Sequence, residues 1–111
     1  MATLRLTARA RRDIDAILRR SNTVFGEDAA ERYRTLLIRA LQDVRTDPLC
    51  PGVRLVHTRR QPVLLYALKS VRAPIAPVRE PRHFLAFQHM DGVVTVLRVL
   101  HERMDLPAHL R

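Results

Sequence analysis

Tryptophan is absent, cysteine occurs once, glycine three times and lysine once in the 111 residues. A single thiol builds no disulfide framework, so a reducing cytoplasm is the expected setting. That thiol, Cys50, lies between Leu49 and Pro51 in a predicted loop and is a poor candidate nucleophile. The two tyrosines and three phenylalanines do not interleave with the basic residues, which argues against a base-stacking platform for nucleic acid. No apolar run reaches the ~18 residues of a membrane span. The opening stretch MATLRLTARARR also lacks the apolar centre of a signal peptide. His57, His83, His89, His101 and His109 include no HxH or HxxxH pair, so neither a metal site nor a cofactor is expected.

What the chain has instead is positive charge, carried almost wholly by arginine. The formal net charge is +9, and nineteen of the twenty cations are arginine. Residues 1–25 hold six cations against two anions and residues 51–82 hold seven against one, whereas residues 26–50 and 83–111 are nearly balanced. The excess therefore sits on the first helix and on the central connection. Such a surface suits an acidic protein partner better than sequence-specific nucleic acid, given the missing aromatics. Length and composition describe one globular domain spanning residues 1–111, with no internal repeat.

Taken in order, Leu4 and Leu6 alternate with polar neighbours as a short strand with one buried face. Thr7 is placed to cap a first helix whose apolar positions are Ile14, Ile17, Leu18, Val24 and Phe25, with Gly26 closing it. Glu27, Asp28 and Glu31 favour the start of a second helix, where exposed N–H groups attract anions. Its stripe is Tyr33, Leu36, Leu37, Ala40, Leu41 and Val44, and Asp47-Pro48 stops it. Val53 to His57 alternates as a strand. In the connection from 58 to 82, Pro62 is placed to open a short helix through Leu64, Leu65, Leu68 and Val71, before Pro74, Pro77 and Pro81 forbid regular structure.

The clearest signal is HFLAFQHMDGVVTVLRVLH, residues 83–101. Asp91-Gly92 between two apolar runs predicts a two-residue primed turn, pairing Met90 with Val93 and Phe87 with Val96. Carried on, the same register sets Leu85 opposite Arg98 and His83 opposite Leu100. An arginine in mid-strand needs a partner or a wet cleft. It either pairs with an acid such as Glu102 or Asp105, or forms the wall of a recognition surface on a sheet face that the helices leave open.

The run Leu97-Arg98-Val99-Leu100-His101-Glu102-Arg103-Met104-Asp105-Leu106, with Ala108-His109-Leu110 after it, resembles the C-terminal signature of the ParE toxins of the RelE/ParE superfamily. The resemblance implies an α+β fold in two layers, β-α-α-β-β-β, with a helical hairpin on one face of a small antiparallel sheet. It implies the toxin of a bacterial type II toxin-antitoxin system, cytoplasmic and active in stress responses. Such a toxin is not an enzyme; it poisons DNA gyrase and is neutralised in a hetero-oligomer by a ParD-like antitoxin.

On this reading Arg98, His101 and Arg103 are the target-binding candidates, while Met104 and Leu106 seal the sheet edge. Arg12, Arg19, Phe25 and Arg54 are the antitoxin-binding candidates. The rival from the same superfamily is a RelE-like ribosome-dependent mRNA endoribonuclease. It is disfavoured because the only tyrosines, Tyr33 and Tyr66, are far from the C-terminus. A non-toxic interaction module of the same fold is the third alternative.

Overall fold

A computed structural model describes residues 1–72, 78, 80–104 and 109–110. The elements run β1 (Thr3–Leu6), α1 (Ala8–Phe25), α2 (Glu27–Thr46), β2 (Val53–Val56), β3 (Val63–Ala67), β4 (His83–Met90) and β5 (Val93–His101). Both helices start and stop where local chemistry dictates. The Thr7 hydroxyl accepts from the Ala10 N–H at 3.1 Å, satisfying one of the four donors that a helix start leaves unpaired. Gly26 takes φ +95°, open to a residue without Cβ, and its N–H returns to the Asn22 carbonyl. Asp47, held extended before Pro48, ends α2.

The sheet has five strands in the order β1-β5-β4-β3-β2. It is mixed: β1 runs parallel to β5, and every other neighbouring pair is antiparallel. The four-strand antiparallel expectation is thus corrected by one strand and one direction. The additional strand is β3, where a short helix from Pro62 is expected. Val63, Leu65 and Tyr66 are buried, and β3 lies between two strands, so apolar residues on both faces obscure its period. Only a 3₁₀ turn, Leu68–Ser70, follows it. Part of the 58–82 connection lies outside the described residues.

The β4–β5 turn is of the expected primed kind, with Asp91 at φ +52° and Gly92 at φ +74°. Register from Met90↔Val93 to Phe87↔Val96 is as expected. A bulge then intervenes, and Ala86 opposes Arg98, Leu85 opposes Val99 and His83 opposes His101. The extra residue on β5 shifts every later pair by one, so the expected Leu85–Arg98 and His83–Leu100 pairings do not form.

Apolar side chains pack on both sides of the sheet. From the helices, Leu36, Leu37, Ala40, Val44, Ala10 and Leu18 meet Leu85, Phe87, Val94, Val96 and Val99. Each large side chain buried there contributes about 1.5–3 kcal/mol. The second face is not the open surface expected of a one-sided lid. Val63, Leu65, Phe84, Ala86 and Leu100 are buried on it, and Leu110, 8% exposed, packs among them. Among the described residues no helix is long and apolar enough to cross a membrane.

Candidate functional site

The site candidates gather where β5 outruns β1. β1 pairs with β5 only as far as Leu6↔Val96, and the chain then turns into α1. Backbone groups of β5 beyond that point would be unpaired, a costly state for buried donors and acceptors. The start of α1 supplies partners. Thr7 donates its N–H to the Val96 carbonyl at 3.1 Å and its hydroxyl to the Leu97 carbonyl at 2.8 Å. Asp13, one and a half turns into the helix, accepts the Val99 N–H at 3.0 Å.

Asp13 also holds Arg98. The guanidinium donates through Nε at 2.7 Å and through Nη2 at 3.0 Å to the two carboxylate oxygens, a bidentate fork. The two side chains are 12% and 16% exposed, and hydrogen bonding to Asp13 raises the Arg98 pKa further above its high ordinary value. Among the described residues, Nη1 of Arg98 is buried without a partner. An Arg98 anchor reaching from an open face is therefore corrected to a shielded clamp between β5 and α1. Its partner is Asp13 rather than Glu102, which pairs with Arg82; Asp105 lies outside the described residues.

Past the clamp the strand end is built of imidazoles. The His83 and His101 rings meet edge to face with centroids 5.2 Å apart, and Tyr33 of α2 meets His83 in the same manner at 5.6 Å. Tyr33 hydroxyl and His83 Nδ1 are hydrogen-bonded to each other. Burial pushes the Tyr33 phenol up to about 12 and the His83 imidazole down to about 4, the second effect reinforced by His101. Both are neutral at pH 7, and the imidazole tautomer sets which of the two donates. A base with so low a pKa and a phenol with so high a one are mismatched to proton transfer near neutrality.

Arg82 stands beside them but is held by Glu102 at 2.8 Å and Glu80 at 2.9 Å. His101 ends its strand as expected, its Nδ1 accepting the Arg103 N–H at 3.1 Å. That bond and the Met104 N–H to the His101 carbonyl, 3.0 Å, turn the chain away from the sheet. Arg103 is exposed there and makes no ion pair among the described residues. Met104, expected to seal the edge, is 42% exposed instead; Leu106 lies outside the described residues.

The antitoxin-side candidates are dispersed. Arg12, Arg19 and Arg54 are exposed, and Phe25 is 75% exposed at the tip of the helical hairpin beside exposed Val24. Arg19 lines a shallow groove of about 630 Å³ between α1 and α2, with Asp15, Asn22, Glu31 and Arg34. Arg54 sits on β2, at the far edge of the sheet from α1's strand partner β1. Sequence reasoning missed Asp13, Tyr33 and His83 as members of the strand-end cluster. Asp13 stands among Arg9, Arg11 and Arg12, where it reads as one more polar helix residue.

Two solved structures share this architecture. One, described as a chromosomal ParDE TA system from P. aeruginosa, has a TM-score of 0.58 at 16% identity, over 91% of this chain and 96% of that one. The other, a copper-bound mutant toxin from Helicobacter pylori, has a TM-score of 0.59 at 18% identity, over 91% and 94%. No curated protein matches the sequence. Residues 4–106, covering both helices and all five strands, match the family described as ParE toxin of type II toxin-antitoxin system, parDE. The α+β fold is thus similar to that of these two structures, and, by the match over residues 4–106, the chain belongs to the ParE toxin family.

Proposed function

We propose that this chain is the toxin of a type II toxin-antitoxin pair that acts without catalysis, by binding DNA gyrase, and is neutralised by a ParD-like antitoxin. The observation that carries the reading is the family match across residues 4–106. The strand-end chemistry agrees with it. Arg103 offers an exposed cation, His101 shapes the turn that displays it, and Arg98 acts as a positioning residue through Asp13. The antitoxin occupies the opposite parts of the surface, with Arg12, Arg19 and Phe25 on the helical hairpin and Arg54 on β2 as contacts. The interhelical groove sets Leu18 and Ala30 beside Arg19 and Arg34 and also beside Asp15, Glu27 and Glu31, so an amphipathic helix seated there meets apolar surface and charges of both signs.

The test is direct. Purified protein added to gyrase is expected to inhibit supercoiling and to accumulate cleaved DNA, and Arg103→Ala to weaken both by about tenfold, the loss typical of a charged contact. Ribosome-dependent cleavage of messenger RNA with gyrase unaffected selects the endoribonuclease instead. No growth effect on expression, with both assays silent, selects the non-toxic module.

A further inference from the structure

We infer that the outward face of α1 is a contact surface for the phosphate backbone of duplex DNA, engaged without regard to base sequence. At the helical period, Arg9, Arg12, Ala16, Arg19, Arg20 and Thr23 fall in one arc, and all six are exposed. No acid and no large apolar side chain stands among them. Asp13 is turned to Arg98, and Asp15 lines the groove toward α2, which Arg19 borders. None of the four arginines makes an ion pair among the described residues.

A stripe of one sign works against the helix that carries it. Arg9 stands in the first turn of α1, which contains no acid, and exposed N–H groups there disfavour a cation. Arg9 and Arg12 are one turn apart and repel each other. The solvated face of α2 is built otherwise, with Arg34 beside Glu31 and Arg39 beside Asp43, each at 3.5 Å. Solubility is served by charges of mixed sign, so it does not account for four unpaired arginines on one side of a helix. A polyanion turns their mutual repulsion into attraction.

The spacing and the company of the arginines select the polyanion. Arg9 and Arg12 form one pair, Arg19 and Arg20 another, and their midpoints lie about 13 Å apart along the axis, with small Ala16 between them. The major groove of B-form DNA is about 12 Å wide, so a helix laid across it sets one pair on each backbone. Guanidinium groups also match phosphate oxygens two at a time. An acidic protein fits less well, because protein recognition is anchored by buried aromatic and apolar side chains, and this face offers Ala16 and Thr23. The exposed Val24 and Phe25 lie beyond it, at the hairpin tip. Single strands lack a stacking aromatic here, and the narrow major groove of A-form RNA does not match the span. Duplex DNA keeps its bases stacked, so the scarcity of aromatics is no obstacle.

The test measures binding of the full chain to fluorescent DNA duplexes of about 20 base pairs and two unrelated sequences, at roughly 50 to 200 mM salt. Both duplexes are expected to bind alike. Four phosphate contacts give a slope of about −3.6 in log affinity against log salt. Arg9→Ala with Arg20→Ala takes one arginine from each pair and leaves the antitoxin candidates Arg12 and Arg19 in place. It is expected to halve that slope and to weaken both duplexes equally. Arg59→Ala with Arg60→Ala removes the same charge from an exposed connection elsewhere and is expected to leave the slope unchanged. All four positions are surface sites, and unchanged melting temperatures check that each variant is folded.

Equal weakening by the two double variants assigns binding to net charge and overturns the inference. So does an unchanged slope in Arg9→Ala with Arg20→Ala, tighter binding of an RNA duplex of the same sequence, or no binding of DNA at about 100 μM protein in the lowest salt. Poly-glutamate bound as tightly as DNA assigns the face to an acidic protein instead. Gyrase has no part in these measurements, so their outcome is separate from that of the supercoiling assay.

Discussion

The two halves of the β4–β5 hairpin are built by different rules. Near the turn, residues a few positions apart in sequence pair with each other, and Asp91 and Gly92 alone set the register from Met90↔Val93 to Phe87↔Val96. Beyond the bulge the register is offset, and β5, still paired with β4, gains bonds on its other side from Thr7 and Asp13, some ninety residues earlier. The near half buries Phe87, Val94 and Val96 under the helices; the far half buries Phe84, Leu85, Ala86, Val99 and Leu100 and adds a polar joint to α1 at its edge, beside the exposed functional candidates. Local turn chemistry secures the scaffold, and a long-range ion pair aims the working end.

The contrast can be broken most severely in the near half. Phe87 is fully buried beneath the helices, and Phe87→Ala is expected to cost about 3–5 kcal/mol through lost burial and a cavity that rigid neighbours cannot fill. Urea denaturation would show this as a lowered midpoint at little changed slope. In the far half, Asp13→Ala strands the Arg98 guanidinium and frees the Val99 N–H. A fully buried pair loses about 3–5 kcal/mol this way; with the partners 12% and 16% exposed, about 2–3 kcal/mol is expected. Asp13→Leu with Arg98→Met is expected to recover much of that in the same assay, because no charge is then left unpaired. If the double variant is as unstable as Asp13→Ala, the joint works through the Val99 hydrogen bond rather than through charge.

The smallest effect is a pH dependence at the imidazole cluster. Folding lowers the His83 pKa from the ordinary 6.5 to about 4, so below pH 6.5 the unfolded chain binds a proton that the folded chain refuses. Stability is therefore undiminished above about pH 6.5 and is lost progressively as pH falls toward 4. Since His83 is only partly buried, the expected drop in melting temperature between pH 7 and pH 4.5 from this group is roughly 5 °C. His83→Phe is expected to flatten that slope.

These differences also mark what was legible in the sequence. The helix limits at Thr7, Gly26 and Asp47-Pro48, the apolar stripe of α2 and the hairpin turn were all readable, because each depends on residues within one or two turns of one another. β3 was not. Leu64, Leu65, Leu68 and Val71 fall at helical spacing, and a strand buried on both faces has no alternation to contradict it. The bulge leaves no composition signal, so extrapolating from the turn misplaces Arg98 by one residue. Nor does sequence order reveal that Asp13 crosses to β5, since nothing among its neighbours distinguishes it from a solvated acid. Arg103 and the arginines of α1 were singled out by resemblance and charge, and the structure shows them exposed.

The parallel pairing of β1 with β5 carries a consequence for how the molecule comes into being. Residues 3–6 leave the ribosome early but find their place only beside residues 93–96, so the first strand waits for almost the last. Loop closure over so long a separation makes folding slow relative to a helical protein of the same size. A nascent chain therefore has no finished sheet until residues 93–96 have been made, and whatever this protein does to its cell waits on them.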